Sequence, residues 1–177
     1  GGMTIRGVAN LYDFVVEGGT LVAMDSATEL PLEIFNLPLR EVTSGQSDEN
    51  FFIPGTLLRL EVEPEHPLGY GMPEKSTAFF SRSPAFALGR PVSRRDRQSG
   101  ITPEPPSSVR AVVTYPTEDL LQSGWLLGEQ VIAGRAAVVE ADVEAGRVVL
   151  LGFRTQHRGQ SHGTFKLLFN ALYRGGM

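Results

Sequence analysis

The spacing of apolar positions divides the chain into a helix near each end and a run of strands between them. Thr4 offers a side-chain cap, and Ile5, Val8, Tyr12, Val15 and Val16 recur at helical spacing until Gly18-Gly19 stops the pattern. Thr20 to Met24 (TLVAM) is a short apolar run of buried-strand type, closed by the polar turn Asp25-Ser26-Ala27-Thr28. A helix, a glycine break and then such a strand make an α/β unit, so this strand is expected to pair in parallel. A short helix is predicted over 28–35, with Pro31 in its first turn, and a strand over 39–42. Residues 43–50 are polar and acidic and read as an exposed loop.

From Phe51 the pattern becomes strand-rich. Leu58, Leu60 and Val62 alternate with Arg59, Glu61 and Glu63, the period-two signature of a half-exposed strand. Further strands are predicted at 77–80, 85–88, 109–115 and 120–127, the last containing Trp125. Residues 135–142 and 147–153 flank Val143-Glu144-Ala145-Gly146 and read as a hairpin. Residues 66–73 are rich in turn formers, and 90–108, with four arginines and four prolines, reads as a solvated or mobile insertion.

The stretch from Gly146 to Tyr173 organises the rest. Its strand is β-branched and apolar throughout, long enough to cross a sheet buried on both faces. Its helix, starting near 161–164 and ending by Arg174-Gly175, carries Phe165, Leu168, Phe169 and Leu172 on one stripe, the face such a helix turns to a core. The loop between holds Arg154, Gln156, His157, Arg158, Gln160, Ser161 and His162. It lies at the carboxyl end of a strand, where open α/β sheets place their ligands. The expected architecture is a single α/β domain over 1–177 with a mixed sheet. An opening helix with no strand before it suggests a piece of a longer chain, truncated at its N-terminus.

Composition narrows the chemistry. The 177 residues include no cysteine, which removes disulfides, thiolate nucleophiles and cysteine metal sites. A net charge of −4 argues against nucleic acid as a partner, and no apolar run reaches membrane-spanning length.

Three long strings, FVVEGGTLVAMDSATEL, HPLGYGMP and the segment from Leu120 through GRVVLLGFRTQHRGQSHGTFKLLFNALY, resemble the C-terminal region of bacterial zinc carboxypeptidase-like proteins of metallopeptidase family 14. The resemblance implies a class I glutamine amidotransferase-like, flavodoxin-like domain following an upstream peptidase domain. It implies zinc only in that upstream domain, which would be the partner of this one, and a secreted or periplasmic setting. The peptidase's own His-x-x-Glu motif is missing: Gly69, Gln160 and Phe165 stand three residues after the only histidines, His66, His157 and His162. In the amidotransferase fold the nucleophile is a cysteine on a sharp strand-to-helix turn. That position falls here on Asp25 or Ser26, and the strand that carries the catalytic histidine matches the one before His157.

The candidate site residues each admit a functional and a structural role. Arg154, His157, Arg158 and His162 can hold a small anion such as a carboxylate or phosphate beside the helix start, or cap that helix and tie the loop to Asp25 or Glu129. The second role is the expectation, because buried charges usually pair internally. His157 and His162 lack the third ligand and the spacing of a metal motif, so no metal is expected. Ser26, with His157 and Asp25 or Glu129, forms a hydrolase triad only on a poor elbow, since Gly-x-Ser-x-Gly is absent. The arginines of 90–97 read as a solvated loop, and Trp125 as core or interface. The resulting expectation is a non-catalytic accessory domain of a larger zinc peptidase. Homo-oligomerisation, an anion-binding module and a Ser26/His157 hydrolase are the alternatives.

Overall fold

A computed structural model describes residues 2–89, 108–159 and 161–176; the expected insertion at 90–108, with the arginines of 90–97, and Gln160 fall outside them apart from Ser108. Helix α1 spans Ile5–Val16, and the Thr4 hydroxyl accepts the Gly7 amide at 3.2 Å, as a capping residue does. Strand β1 (Thr20–Met24) leads through a 3₁₀ turn, Asp25–Thr28, into α2 (Glu29–Ile34). Strands β2 (Leu39–Glu41), β3 (Thr56–Val62), β4 (Lys75–Phe80), β5 (Phe86–Leu88), β6 (Val109–Thr114) and β7 (Leu121–Ser123) follow. The hairpin β8 (Ala136–Val143) and β9 (Gly146–Leu151) precedes α3 (Phe165–Arg174).

The strands make one mixed sheet ordered β1-β9-β8-β6-β3-β4, with β7 on β3 and β2 joined through β5 to β8. Among the described residues only β1 and β9 run parallel, and the other strand pairings are antiparallel. Val148, Val149, Leu150 and Leu151 are all fully buried, as a strand covered on both faces requires. Their alternation splits two apolar layers. Val149 and Leu151 join Leu58, Phe80, Val138 and Leu167 on one face; Val148 and Leu150 join Val15, Leu37, Phe86 and Val139 on the other.

Two expectations change. The strand expected over 120–127 is cut to Leu121–Ser123, and Trp125, expected in the core or an interface, is 64% exposed and so is not in the core. Its register on β3 shifts at Leu57/Leu58, and the Thr56 hydroxyl donates to the Trp125 carbonyl at 2.6 Å, so the chain leaves the ladder at Gly124. The second change is the rotation of α3. Leu167 and Ala171 face the core, while Phe169 and Leu172 from the expected inner stripe are 54% and 59% exposed.

Polar anchors set that rotation. The Asn170 amide donates to the Leu68 and Tyr70 carbonyls, the Lys166 ammonium donates to the Gly71 carbonyl, and the Arg174 guanidinium grips Glu140 of β8. Satisfying these groups turns the helix away from the orientation its apolar residues alone would choose.

Candidate functional site

Because β1 and β9 are parallel and in register from Thr20↔Arg147 to Met24↔Leu151, their carboxyl ends lie side by side. The first residue beyond β1 is Asp25, with φ 54°, in the left-handed region that non-glycine residues seldom occupy. This is the sharp strand-to-helix turn expected at that position, with a carboxylate at its apex. Shortly beyond β9 comes Arg154. Its Nε donates to Asp25 Oδ2 at 2.8 Å, and the carboxylate is largely buried while the arginine is half exposed. The Thr28 hydroxyl donates to the Asp25 carbonyl at 2.7 Å and locks the turn from beneath. The tie between the 154–162 loop and Asp25 is thus present, whereas Glu129 makes no such tie among the described residues.

The remaining candidates go elsewhere. Ser26 is exposed and lines a separate cleft with Glu29, Arg40, Thr43 and Arg82. The His157 ring stacks on Phe79 of β4, centroids 4.1 Å apart and planes within 13°. In the sheet order four strands separate β1 from β4. Among the described residues no hydrogen bond joins His157 to Asp25 or Ser26. Arg158 is exposed with φ 51°, and His162 is exposed beside Phe165. The loop itself is held by Thr164, whose buried hydroxyl lies 2.7 Å from both the Thr155 and Ser161 carbonyls. Among the described residues no three His, Asp or Glu side chains are grouped to hold a metal ion, and no helix is long and apolar enough to cross a membrane.

Two features escaped the sequence reading. Tyr115, one residue past β6, is fully buried, and its hydroxyl has no hydrogen-bond partner among the described residues. Burial, and secondarily the Asp25 charge, push that hydroxyl's pKa well above the ordinary tyrosine value, so it stays protonated at every physiological pH. An unsatisfied buried hydroxyl costs about 1–3 kcal/mol. Tyr115→Phe is therefore expected to leave stability unchanged or raise it by up to roughly 1 kcal/mol in urea melts. A loss larger than that would mean the hydroxyl holds a water or ligand beside Asp25.

The second feature is a buried charge cluster. Glu140, 7% exposed at the centre of β8, meets His66 Nε2 at 3.1 Å and Arg174 Nε at 2.5 Å. Arg147 Nε lies 3.2 Å from the same carboxylate but off the hydrogen-bond line. The signal was available: a glutamate inside the run AAVVEADV sits where only a paired charge survives burial.

No family model matches this chain, and no curated protein matches it. Similar solved structures do exist. A β-galactosidase from Bacillus circulans sp. alkalophilus superposes over 98% of the chain with a TM-score of 0.54 at 8% identity. A ThuA-like protein from Parabacteroides merdae covers 98% with a TM-score of 0.53 at 14% identity. A cytoplasmic protein from Salmonella typhimurium covers 98% with a TM-score of 0.51 at 14% identity. The chain spans 21% of the β-galactosidase and 66% and 61% of the other two. At these identities the likeness speaks of fold alone, and the fold is the mixed α/β arrangement of ThuA-like proteins, of class I glutamine amidotransferase-like type.

Proposed function

We propose that this chain is a non-catalytic accessory domain of a larger protein, keeping the geometry of a catalytic corner without its working groups. The observation that carries the reading is the Asp25–Arg154 pair. The apex of the elbow holds a carboxylate already neutralised by an arginine, while Ser26 and His157 stand apart from it and from each other. A general base must reach its nucleophile directly or through one water, and among the described residues no hydrogen bond joins His157 to Ser26. The β-galactosidase from Bacillus circulans carries a region of this fold as about a fifth of its length, which supports the fold as one part of a larger enzyme. The resemblance in the final fifty residues favours a zinc carboxypeptidase-like parent with its peptidase domain upstream. The anion-binding alternative is weakened, because Arg154, one of its four residues, already holds Asp25 through Nε.

Incubating the purified chain with activated esters and with glutamine is expected to give no turnover above background. Ester or glutamine hydrolysis that disappears in Asp25→Asn or Ser26→Ala would overturn the non-catalytic reading. Reading the encoded sequence upstream tests the parent, because a chain lacking His-x-x-Glu and a distant His there is not a zinc carboxypeptidase.

A further inference from the structure

The Glu140 cluster closes a ring through α3. Glu140 Oε2 lies 3.1 Å from His66 Nε2, and Oε1 accepts from Arg174 Nε at 2.5 Å. His66 opens the 66–71 turn, and its Nδ1 accepts the Leu68 amide at 3.2 Å. The turn leads back to the helix. The Asn170 amide donates to the Leu68 and Tyr70 carbonyls at 2.9 and 3.0 Å, and the Lys166 ammonium donates to the Gly71 carbonyl. Carboxylate, imidazole, turn, helix and guanidinium therefore form one circuit that starts and ends on the same buried group of β8.

Apolar packing adds a thin hold. Among the described residues of α3, Leu167 and Ala171 are buried, and the turn contributes Leu68 and Met72. Elements with few buried contacts open locally, as a unit, at less than the cost of global unfolding. The hairpin beneath is different, with Val138, Val139, Val148, Val149, Leu150 and Leu151 all fully buried.

His66 is the member of the circuit whose ordinary pKa lies between pH 5 and 8. Glu140 of β8, Arg174 of α3, Arg110 of β6 and Glu63, just past β3, are the charges that face it, and Arg147 of β9 shares its carboxylate. Both ring nitrogens are committed in the neutral form, Nε2 as donor and Nδ1 as acceptor. A proton on Nδ1 turns that acceptor into a donor aimed at the Leu68 N–H, and it sets a cation beside Arg174 and Arg110 in a buried place. Charging the ring requires it to reach water, and the turn it caps must lift with it.

We propose that His66 is a proton-operated catch: a proton on its ring unlatches the 66–71 turn and α3 together from β8, uncovering the apolar face of Leu68, Met72, Leu167 and Ala171. Burial holds the ring's pKa below 6.5 in the closed form, so opening takes up a proton as the pH falls below that value. The open population then grows by up to about tenfold per pH unit until the lower, closed-form value is reached. This is independent of the accessory-domain reading, since a catalytic chain could carry the same catch.

Hydrogen exchange of the full chain, followed by mass spectrometry at about pH 7.5 and about pH 5 and corrected for intrinsic rates, tests it. Segments 66–72 and 165–174 should lose protection together, by roughly tenfold, while 136–151 keeps its own. His66→Gln cannot charge, and its two segments should exchange alike at both pH values. His162→Gln, which alters the imidazole beside Phe165 at the helix start, should keep the wild-type response. Histidine NMR of the wild type adds a readout that needs no variant: His66 should pass from the Nε2–H tautomer to imidazolium with the midpoint of the opening. Protection lost equally from the hairpin, a helix that stays protected while His66 titrates, or acid loosening that persists in His66→Gln would each overturn the proposal.

Discussion

Replacing Glu140 with alanine is expected to destabilise the fold by about 3–5 kcal/mol, the usual result of removing one member of a buried ion cluster. The carboxylate is shared by Arg174, Arg147 and His66, and its loss leaves the buried His66 and the partly buried Arg174 without it and Arg147 with Asp142 alone, 3.7 Å away. For a chain of this size that is a fall in melting temperature of roughly 6–20 °C at about 2–4 °C per kcal/mol. It would consume a large share of a total stability that is typically about 5–15 kcal/mol. Urea denaturation of wild type and Glu140→Ala measures it directly, and a change under about 1 kcal/mol would show that the cluster is not held as described.

The same cluster predicts a pH response. His66 Nδ1 accepts the Leu68 amide at 3.2 Å, so its proton sits on Nε2 and donates to Glu140, which is a neutral imidazole. Burial lowers its pKa below the usual 6.5, against the opposing pull of Glu140. The unfolded chain therefore takes up the proton first as pH falls. The stabilisation is complete above about 6.5 and drains away as acidification moves from there toward the lower folded value. His66→Gln should flatten that part of the stability profile.

Gly146→Ala is expected to cost about 3 kcal/mol, at the upper end of overpacking effects. A Cβ on Gly146 would stand 1.9 Å from the Val15 carbonyl oxygen and 2.5 Å from that of Gly19. Both are backbone atoms at the end of α1, so relief requires the helix to lift from the β8–β9 turn rather than a side chain to rotate. Thermal melts should show a loss of roughly 6–12 °C at about 2–4 °C per kcal/mol. Gly163→Ala is the control, since its Cβ meets only the Ser76 hydroxyl at 3.5 Å and should shift the melt little.

The parts of the fold legible in the sequence were those that local pattern dictates. The Thr4 cap, the apolar run of β9 and the hairpin turn at 143–146 each depend on neighbours in sequence, and each is present. The parallel pairing of β1 followed from the helix that precedes it. What stayed hidden depends on distant partners. The rotation of α3 is decided by Asn170, Lys166 and Arg174 reaching residues 34 to 102 positions away, which no helical wheel contains. Trp125 reads as strand until Thr56, 69 positions earlier, captures its carbonyl. The site divides along the same line. Asp25 and Arg154 were placed together because two strand ends were, but the stacking of His157 on Phe79 needed the course of the loop.

The parallel pair also sets a clock on synthesis. Thr20 finds its partner in Arg147, and none of the described strands made in the interval pairs with β1 in place of β9. A ribosome adding about 5–20 residues per second leaves the TLVAM segment without its ladder on the order of ten seconds. Throughout that wait the nascent chain displays an uncharged, strand-forming segment, the kind that chaperones bind and that neighbouring nascent chains on one messenger can pair with. Emergence of β9, rather than of any earlier strand, is then the event that admits α1 and β1 to the sheet.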